Sequence, residues 1–191
     1  FWALVFMAIS NIGMGIYDVL FNKFFIEELS WTGEQIGSAR PWGLWIGGGV
    51  GLLVGLGVSR YGSRYLLLGF ITAELFLYLF LGMIDGPITT NQGFLILVGV
   101  EIATVGSQVI MFALLMSLCV TRTSATNFGI YMGLSNLSTL IGSKIASVSF
   151  AALGYSGSFI LSAAVLIPCL LIIPILTSSN RKHFKLFFKP D

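Results

Sequence analysis

Residues 112–129, FALLMSLCVTRTSATNFG, connect two long apolar runs through a short polar turn. The turn carries one positive charge, Arg122, and the second run begins after the polar residues Ser124, Thr126 and Asn127. A helical hairpin with two such apolar arms would aggregate in water, so its neighbours must also lie in lipid. The pattern therefore predicts two membrane-spanning helices joined by a tight turn at the membrane surface.

The composition excludes an ordinary soluble domain, because only 9% of the 191 residues are charged and 56% are hydrophobic. Soluble domains have about 25% charged residues. The net charge of +2 comes from loops and the C-terminal tail, which does not indicate a nucleic-acid-binding face. Cys119 and Cys169 lie in apolar runs and His183 is the only histidine, so we expect no metal site, disulfide or cofactor. Because the sequence begins at Phe1 inside an apolar run, we expect a fragment of a longer protein.

The apolar runs predict an all-α membrane protein, with six transmembrane helices forming one bundle over residues 1–191. Residues 27–40 are expected to form a loop with Trp31 at the membrane interface, and residues 85–93 a second loop. Pro168 and Pro174 are expected to kink the last span. The six spans are predicted at about residues 1–25, 41–58, 66–83, 94–119, 128–153 and 159–176.

The distribution of positive charge predicts the orientation of these spans. If the basic tail, residues 177–191, is cytoplasmic, seven Lys and Arg residues lie on that side, and the opposite loops hold only Lys23 and Arg40. This agrees with the positive-inside rule for a first span that enters from the cytoplasm. The tail would then bind anionic lipid headgroups. The seven residues are Arg60, Arg64, Arg122, Arg181, Lys182, Lys185 and Lys189.

The second span carries glycines at four-residue intervals, Gly43, Gly47, Gly51 and Gly55. This spacing places them on one helix face, where another helix can approach closely. The stripe predicts a packing surface, and a contact that slides during function is a further interpretation.

Four ionisable residues lie well inside the predicted spans: Asp18, Glu74, Glu101 and Lys144. With the orientation above, Asp18, Glu101 and Lys144 lie at a similar depth in the outer part of the membrane. Since an isolated charge in lipid is costly, we expect Lys144 to neutralise one of the acids in a paired cluster. Glu74 has no polar neighbours that the sequence reveals.

Further polar residues extend the faces on which these charges lie. One interpretation is the lining of a wet cavity; the other is a set of interhelical hydrogen bonds that hold the bundle together. An embedded carboxylate could also serve proton coupling, for which Asp18 and Glu101 are chemically suitable. The three stripes are Asn11, Asp18 and Asn22; Glu101, Thr104 and Gln108; and Asn136, Ser143 and Ser147 beside Lys144.

The turn between the second and third spans resembles the signature Gly-x-x-x-Asp-Arg-x-Gly-Arg of the major facilitator superfamily. Ser59 replaces the aspartate, Ser63 replaces the last basic residue, and Arg64 follows one position later. Together with six spans, the motif resembles the C-terminal half of such a transporter, built of two inverted three-helix repeats. The matching residues are Gly55, Arg60 and Gly62.

A more specific resemblance covers residues 112–159. The segment FALLMSLC at 112–119, the residues Ser-Ala-Thr at 124–126 followed by Phe128, Leu-Ser at 134–135 and Gly-Tyr at 154–155 look like the AmpG-type muropeptide permeases. The resemblance implies proton-driven import of GlcNAc-anhydroMurNAc cell-wall fragments across a bacterial inner membrane, by alternating access with an N-terminal six-helix half.

In that superfamily the first, second, fourth and fifth spans of each half line the central path. The resemblance therefore implies that Asp18, Glu101 and Lys144 lie on path-lining helices and that Glu74 lies on an outer helix. Our own hypothesis is that Lys144 and Gln108 contact the solute and that Asp18 or Glu101 responds to protons. Another solute, such as acetyl-CoA or a sugar, and a non-transporting membrane scaffold remain alternatives. We do not expect an enzyme, because the sequence has no H-E-x-x-H, G-x-S-x-G or C-x-x-C motif.

Overall fold

The structure, a computed structural model, describes residues 2–84, 88–118 and 124–187, and every regular element within these ranges is an α-helix. Each helix contains a stretch that is long and apolar enough to cross a bilayer. The all-α prediction is confirmed, and the helices are consistent with a multi-pass integral membrane protein. They are α1 (Trp2–Glu27), α2 (Gly33–Tyr61), α3 (Ser63–Met83), α4 (Thr90–Leu118) and α5 (Ser124–Phe187).

Helix α5 consists of two arms, residues 124–153 and 155–187, which meet at Gly154 with φ 66° and ψ −164°. In one straight helix Ser135 and Cys169 would lie roughly 50 Å apart. Instead, Ser135 donates a hydrogen bond to Asn11, and the Cys169 sulfur lies 3.8 Å from the Phe6 carbonyl oxygen. Both arms therefore lie along α1, and the chain reverses direction at Gly154.

The first arm of α5 runs parallel to α1. Asn11 contacts Ser135 near one end of the pair, and the Tyr155 hydroxyl donates a 2.5 Å hydrogen bond to Glu27 at the other. The second arm runs antiparallel to α1. Phe24, near the end of α1, packs on Phe159 at the start of the arm, and the Phe6 carbonyl, near the start of α1, contacts Cys169 later in the arm. The segments thus alternate in direction around α1.

Helices α2, α3 and α4 continue this alternation. Gly43 faces Leu97 and Glu101, and Gly51 faces Val105 and Val109, so α2 and α4 run parallel. In contrast, α3 is antiparallel to α4, with Phe70 against Gly106 and Leu77 near Gly99.

The predicted glycine stripe of α2 packs on α4 at Gly43, Gly47 and Gly51, whereas Gly55 faces open space. A methyl group at Gly43 would lie 3.0 Å from the Glu101 Cγ and Leu97 Cδ2 atoms. The packing prediction is therefore confirmed for three of the four glycines.

Helices α2, α4 and α5 begin at Gly33, Thr90 and Ser124, which is four or more residues before their predicted starts. Helix α2 begins at Gly33 because Thr32 and Gln35 form a capping box. The backbone N–H of Gln35 donates to the Thr32 hydroxyl, and the backbone N–H of Thr32 donates to the side-chain oxygen of Gln35. The second half of the predicted loop at 27–40 is thus helical. Thr89 and Gln92 make the same reciprocal bonds at the start of α4, four residues before its predicted start.

Other predicted features are placed as follows. Residues 119–123, which include Arg122 of the predicted hairpin, and residues 85–87 lie outside the described residues. The helical backbone of α5 continues through the predicted tail to Phe187. Within its described part, α5 departs from helical φ and ψ at Gly154, and not at Pro168 or Pro174.

Candidate functional site

A group of three charged side chains joins α1, α2 and α4. The Arg40 guanidinium donates a 3.1 Å hydrogen bond from Nη2 to Asp18 Oδ1, and its Nε lies 3.7 Å from Glu101 Oε1. We call Asp18, Arg40 and Glu101 the ionic triad. With two carboxylates and one guanidinium, its formal charge is −1.

The early start of α2 places Arg40 against α1 and α4, because it puts this residue in the second turn of a helix that packs on α4. The sequence prediction placed Arg40 in a loop and gave its role to Lys144, which was wrong. Gly43 completes the arrangement, since the absence of a side chain there lets the methylene groups of Glu101 pack directly on α2. The geometry of the triad therefore depends on the capping box that begins α2 and on the glycine at position 43.

The triad opens to one side of the bundle. The exposed side-chain fraction is 48% for Asp18 and 38% for Arg40, but only 15% for Glu101. Asp18 lies roughly 13 Å along the axis from the end of α1 at Glu27. In a bilayer, a charge at such a depth would be costly in contact with hydrocarbon, so this side would then face water or another protein.

The polar residues of the first arm lie on the same side as the triad. Gly15 packs against the Thr139 backbone, and Asp18 and Ser143 each follow one turn later on two parallel helices. Ser143 donates to the Thr139 carbonyl oxygen at 3.0 Å, and Ser147 to the Ser143 carbonyl oxygen at 3.5 Å. These hydroxyls therefore bond within their own helix and leave the opening beside Asp18 polar.

Lys144 and Asn136 are exposed on this arm. Within the described part of the chain, Lys144 forms no ion pair with Asp18 or Glu101, so the predicted cluster does not include it. Both side chains are available for contact with a solute or with a second protein.

Asn11 supports the hydrogen-bonding interpretation of the polar stripes. It is buried, its amide nitrogen donates to the Met7 carbonyl oxygen at 2.8 Å, and its amide oxygen accepts a 3.0 Å bond from Ser135. Asn11 therefore connects α1 to the first arm. Asn22, on the same stripe, is half-buried, and its Oδ1 has no hydrogen-bond partner among the described residues.

A second polar group surrounds Glu74, which was expected on an outer helix without polar neighbours. Glu74 is only 4% exposed, and its Oε1 accepts a 2.8 Å hydrogen bond from the Ser107 hydroxyl of α4. It lines a cavity of about 10 Å³, roughly the space that one water molecule needs. We call this space the Glu74 cavity. Its polar lining is Glu74, Ser10, Asn11, Thr104, Ser107 and Gln108.

The sequence could not reveal this site because Ser107 lies 33 residues from Glu74, and nothing local indicates that α3 faces α4 there. Thr104 and Gln108 were predicted on a common stripe with Glu101. The structure divides that stripe, with Glu101 in the ionic triad and Thr104 and Gln108 at the Glu74 cavity.

The turn motif lies at the opposite end of α2 from Arg40. Gly62 joins α2 to α3 with φ 81°, a conformation that favours glycine, and its amide donates to the Val58 carbonyl oxygen at 3.0 Å. Arg60 and Arg64 are both exposed beside this turn, and Gly55 lies nearly two turns before it.

No model of a known protein family matches this chain, and a comparison with curated proteins also finds no match. The fold and the two polar groups within it are therefore the basis on which a function can be proposed.

Proposed function

We propose that the chain is one half of a secondary active transporter of the major facilitator type, in which the arms of α5 cross the membrane separately. The observation that carries this proposal is the open ionic triad. Asp18 and Arg40 are exposed inside segments that are apolar enough to lie in a bilayer. A water-filled path for a polar solute would compensate such charges, whereas contact with lipid would not.

The solute in this proposal is an anionic sugar derivative of the muropeptide type, GlcNAc-anhydroMurNAc. Its carboxylate would compete with Asp18 for Arg40, since a guanidinium binds carboxylates through two parallel hydrogen bonds. Lys144 and Asn136 on the first arm would contact the sugar from the other side of the opening. An acyl-CoA or a simple sugar is the alternative cargo.

The exposed surfaces of the bundle support a partner half in this proposal. Helix α2 exposes Trp42, Trp45 and Leu52 in addition to Arg40. A second six-helix half would cover the polar opening, and lipid would cover the remaining apolar surface. Rocking of the two halves in a bacterial inner membrane, with symport of protons, would then give alternating access.

The test is uptake of radiolabelled GlcNAc-anhydroMurNAc by vesicles that contain the full-length protein, with and without an imposed proton gradient. We expect gradient-dependent accumulation, and a loss of at least tenfold in Arg40→Ala, which corresponds to about 1.4 kcal/mol of binding or barrier free energy. Glu34→Gln, an exposed change in the first turn of α2, is the matched control and should leave uptake unchanged.

Uptake equal to that of empty vesicles would reject the muropeptide as the solute. Competition with CoA esters and simple sugars would then separate the alternative cargoes from a scaffold that transports nothing.

A further inference from the structure

Glu74 is an acid that the proposed solute path does not use. It lies on α3, is 4% exposed, and faces α1 and α4 across the Glu74 cavity. Much of the surrounding surface is apolar, contributed by Phe6, Ile71 and Met111. An ionised carboxylate in such a place is costly unless a cation or water compensates it.

No cation compensates Glu74 in the described part of the chain. The ion pairs found there join Lys23 to Glu27 and Arg40 to the two acids of the triad, and none includes Glu74. The titratable groups that face Glu74 are Tyr78 on α3 and Cys169 on the second arm of α5, which are both weak acids. The uncharged polar groups are Asn11 of α1 and Thr104, Ser107 and Gln108 of α4.

The environment of Glu74 differs from that of Asp18 and Glu101. Each acid of the triad faces the permanent positive charge of Arg40, so a proton that binds there must compete with an ion pair. Among the described residues, a proton at Glu74 would compete with the neutral hydroxyl groups of Ser107 and Thr104 and not with a cation. Of the three embedded acids, Glu74 is therefore the one whose surroundings permit both a neutral and a transiently ionised form.

The Glu74 cavity has space for a proton acceptor beside the carboxyl group. It has space for about one water molecule, and the buried hydroxyl oxygen of Thr104 forms no hydrogen bond within the described residues. The side-chain nitrogen of Gln108, which also lines the cavity, lies 3.1 Å from the Met14 sulfur, a weak hydrogen-bond acceptor. A water in the cavity would satisfy such groups and could accept the proton from the carboxyl group.

We propose that Glu74 is the site that binds and releases the coupled proton, an inference that rests on the proposed transport function. With the cavity closed, Glu74 keeps its proton. When movement of α4 against α3 admits water, the proton passes from the carboxyl oxygen to that water, and the hydroxyls of Ser107 and Thr104 stabilise the carboxylate. Because α4 also carries Glu101, the same movement would alter the triad and connect proton release to the solute site.

The first test is infrared spectroscopy of the full-length protein in lipid at neutral pH, which needs no solute. We expect an absorption band of a protonated carboxyl group that is absent in Glu74→Gln and is retained in Glu34→Gln, the exposed control. Circular dichroism and size-exclusion chromatography would establish that Glu74→Gln is folded. If the band persists in folded Glu74→Gln, or if the unmodified protein has no such band, the inference is wrong.

The second test separates coupling from transport, using radiolabelled GlcNAc-anhydroMurNAc as the probe. We expect Glu74→Gln to retain exchange of labelled for unlabelled solute across the vesicle membrane, and to lose the stimulation by a proton gradient completely. Retained stimulation would overturn the role of Glu74, and so would loss of both activities in a folded variant or stimulation by a sodium gradient alone. If the unmodified protein shows neither activity, the proposed function fails, and the infrared result still decides whether Glu74 holds a proton.

Discussion

At the scale of single residues, the structure divides the polar stripes into two kinds of side chain. Asn11 and Ser135 bond each other across α1 and the first arm, whereas Ser143 and Ser147 bond only the preceding turn of their own helix. The sequence could place Asn11 on a polar face but could not identify Ser135 as its partner, because the pairing joins residues 124 positions apart. The structural hydrogen-bond interpretation is therefore confirmed for Asn11 and Ser135, and a wet surface stays a proposal for Ser143 and Ser147.

Ser135→Ala should lower the free energy of unfolding by about 1 kcal/mol, because it removes the donor to a buried amide oxygen. Ser147→Ala is the matched control, since this hydroxyl is exposed and bonds only within its helix. Thermal unfolding of both variants in the same detergent would measure the difference. Equal effects of the two substitutions would contradict a structural role for the pair.

At the scale of elements, helix caps and chain reversals determine which side chains come into contact. Approximate spans follow from apolar runs, but the capping box of Thr32 and Gln35 extends α2 toward its N-terminus and thereby turns Arg40 from a loop residue into the centre of the triad. The predicted spans left residues 154–158 outside both helices, whereas the structure has only Gly154 in a non-helical conformation between two helical arms. The hydropathy of a segment cannot tell whether polar residues at its end are helical or in a loop, because it measures composition and not backbone conformation.

Gly154→Ala should destabilise the fold by about 1–3 kcal/mol, because φ 66° with ψ −164° is a combination that is essentially restricted to glycine. An added methyl group would meet no other atom there, so the cost would arise from the backbone alone. Gly129→Ala also meets open space but lies in regular helix, and should be neutral or stabilising by up to about 1 kcal/mol. Denaturant titration would compare them, and an unaffected Gly154→Ala would exclude the sharp reversal.

The packing of α2 on α4 is testable in the same way. Gly43→Ala should cost about 1–2 kcal/mol by overpacking against Glu101 and Leu97, and should weaken uptake by displacing Glu101 from Arg40. Gly48→Ala, on the same helix with open space around it, is the control. A stable and fully active Gly43→Ala variant would show that the triad does not need this close approach.

At the scale of the whole molecule, alternating helices around α1 leave one polar side and a largely apolar remainder. The composition indicated a membrane protein because 9% charged residues cannot cover a soluble surface of this size, and the apolar runs predicted the all-α class. The location of the charges could not be predicted, since it depends on which helices are neighbours. Arg40 meets Glu101 because α2 lies on α4, and Glu74 meets Ser107 because α3 lies on α4.

The proposed transport function requires that the side of the bundle with the ionic triad faces water within the membrane. Its most direct test is labelling of Ser147→Cys and Ile141→Cys with a membrane-impermeant maleimide, in the full-length protein with Cys119 and Cys169 replaced by alanine. Both positions are exposed on the first arm but lie about 120° apart around its axis. We expect the cysteine at 147 to react and the cysteine at 141, on the apolar side, to remain unlabelled. Labelling of both or of neither, or of position 141 alone, would contradict a water-filled path beside Asp18.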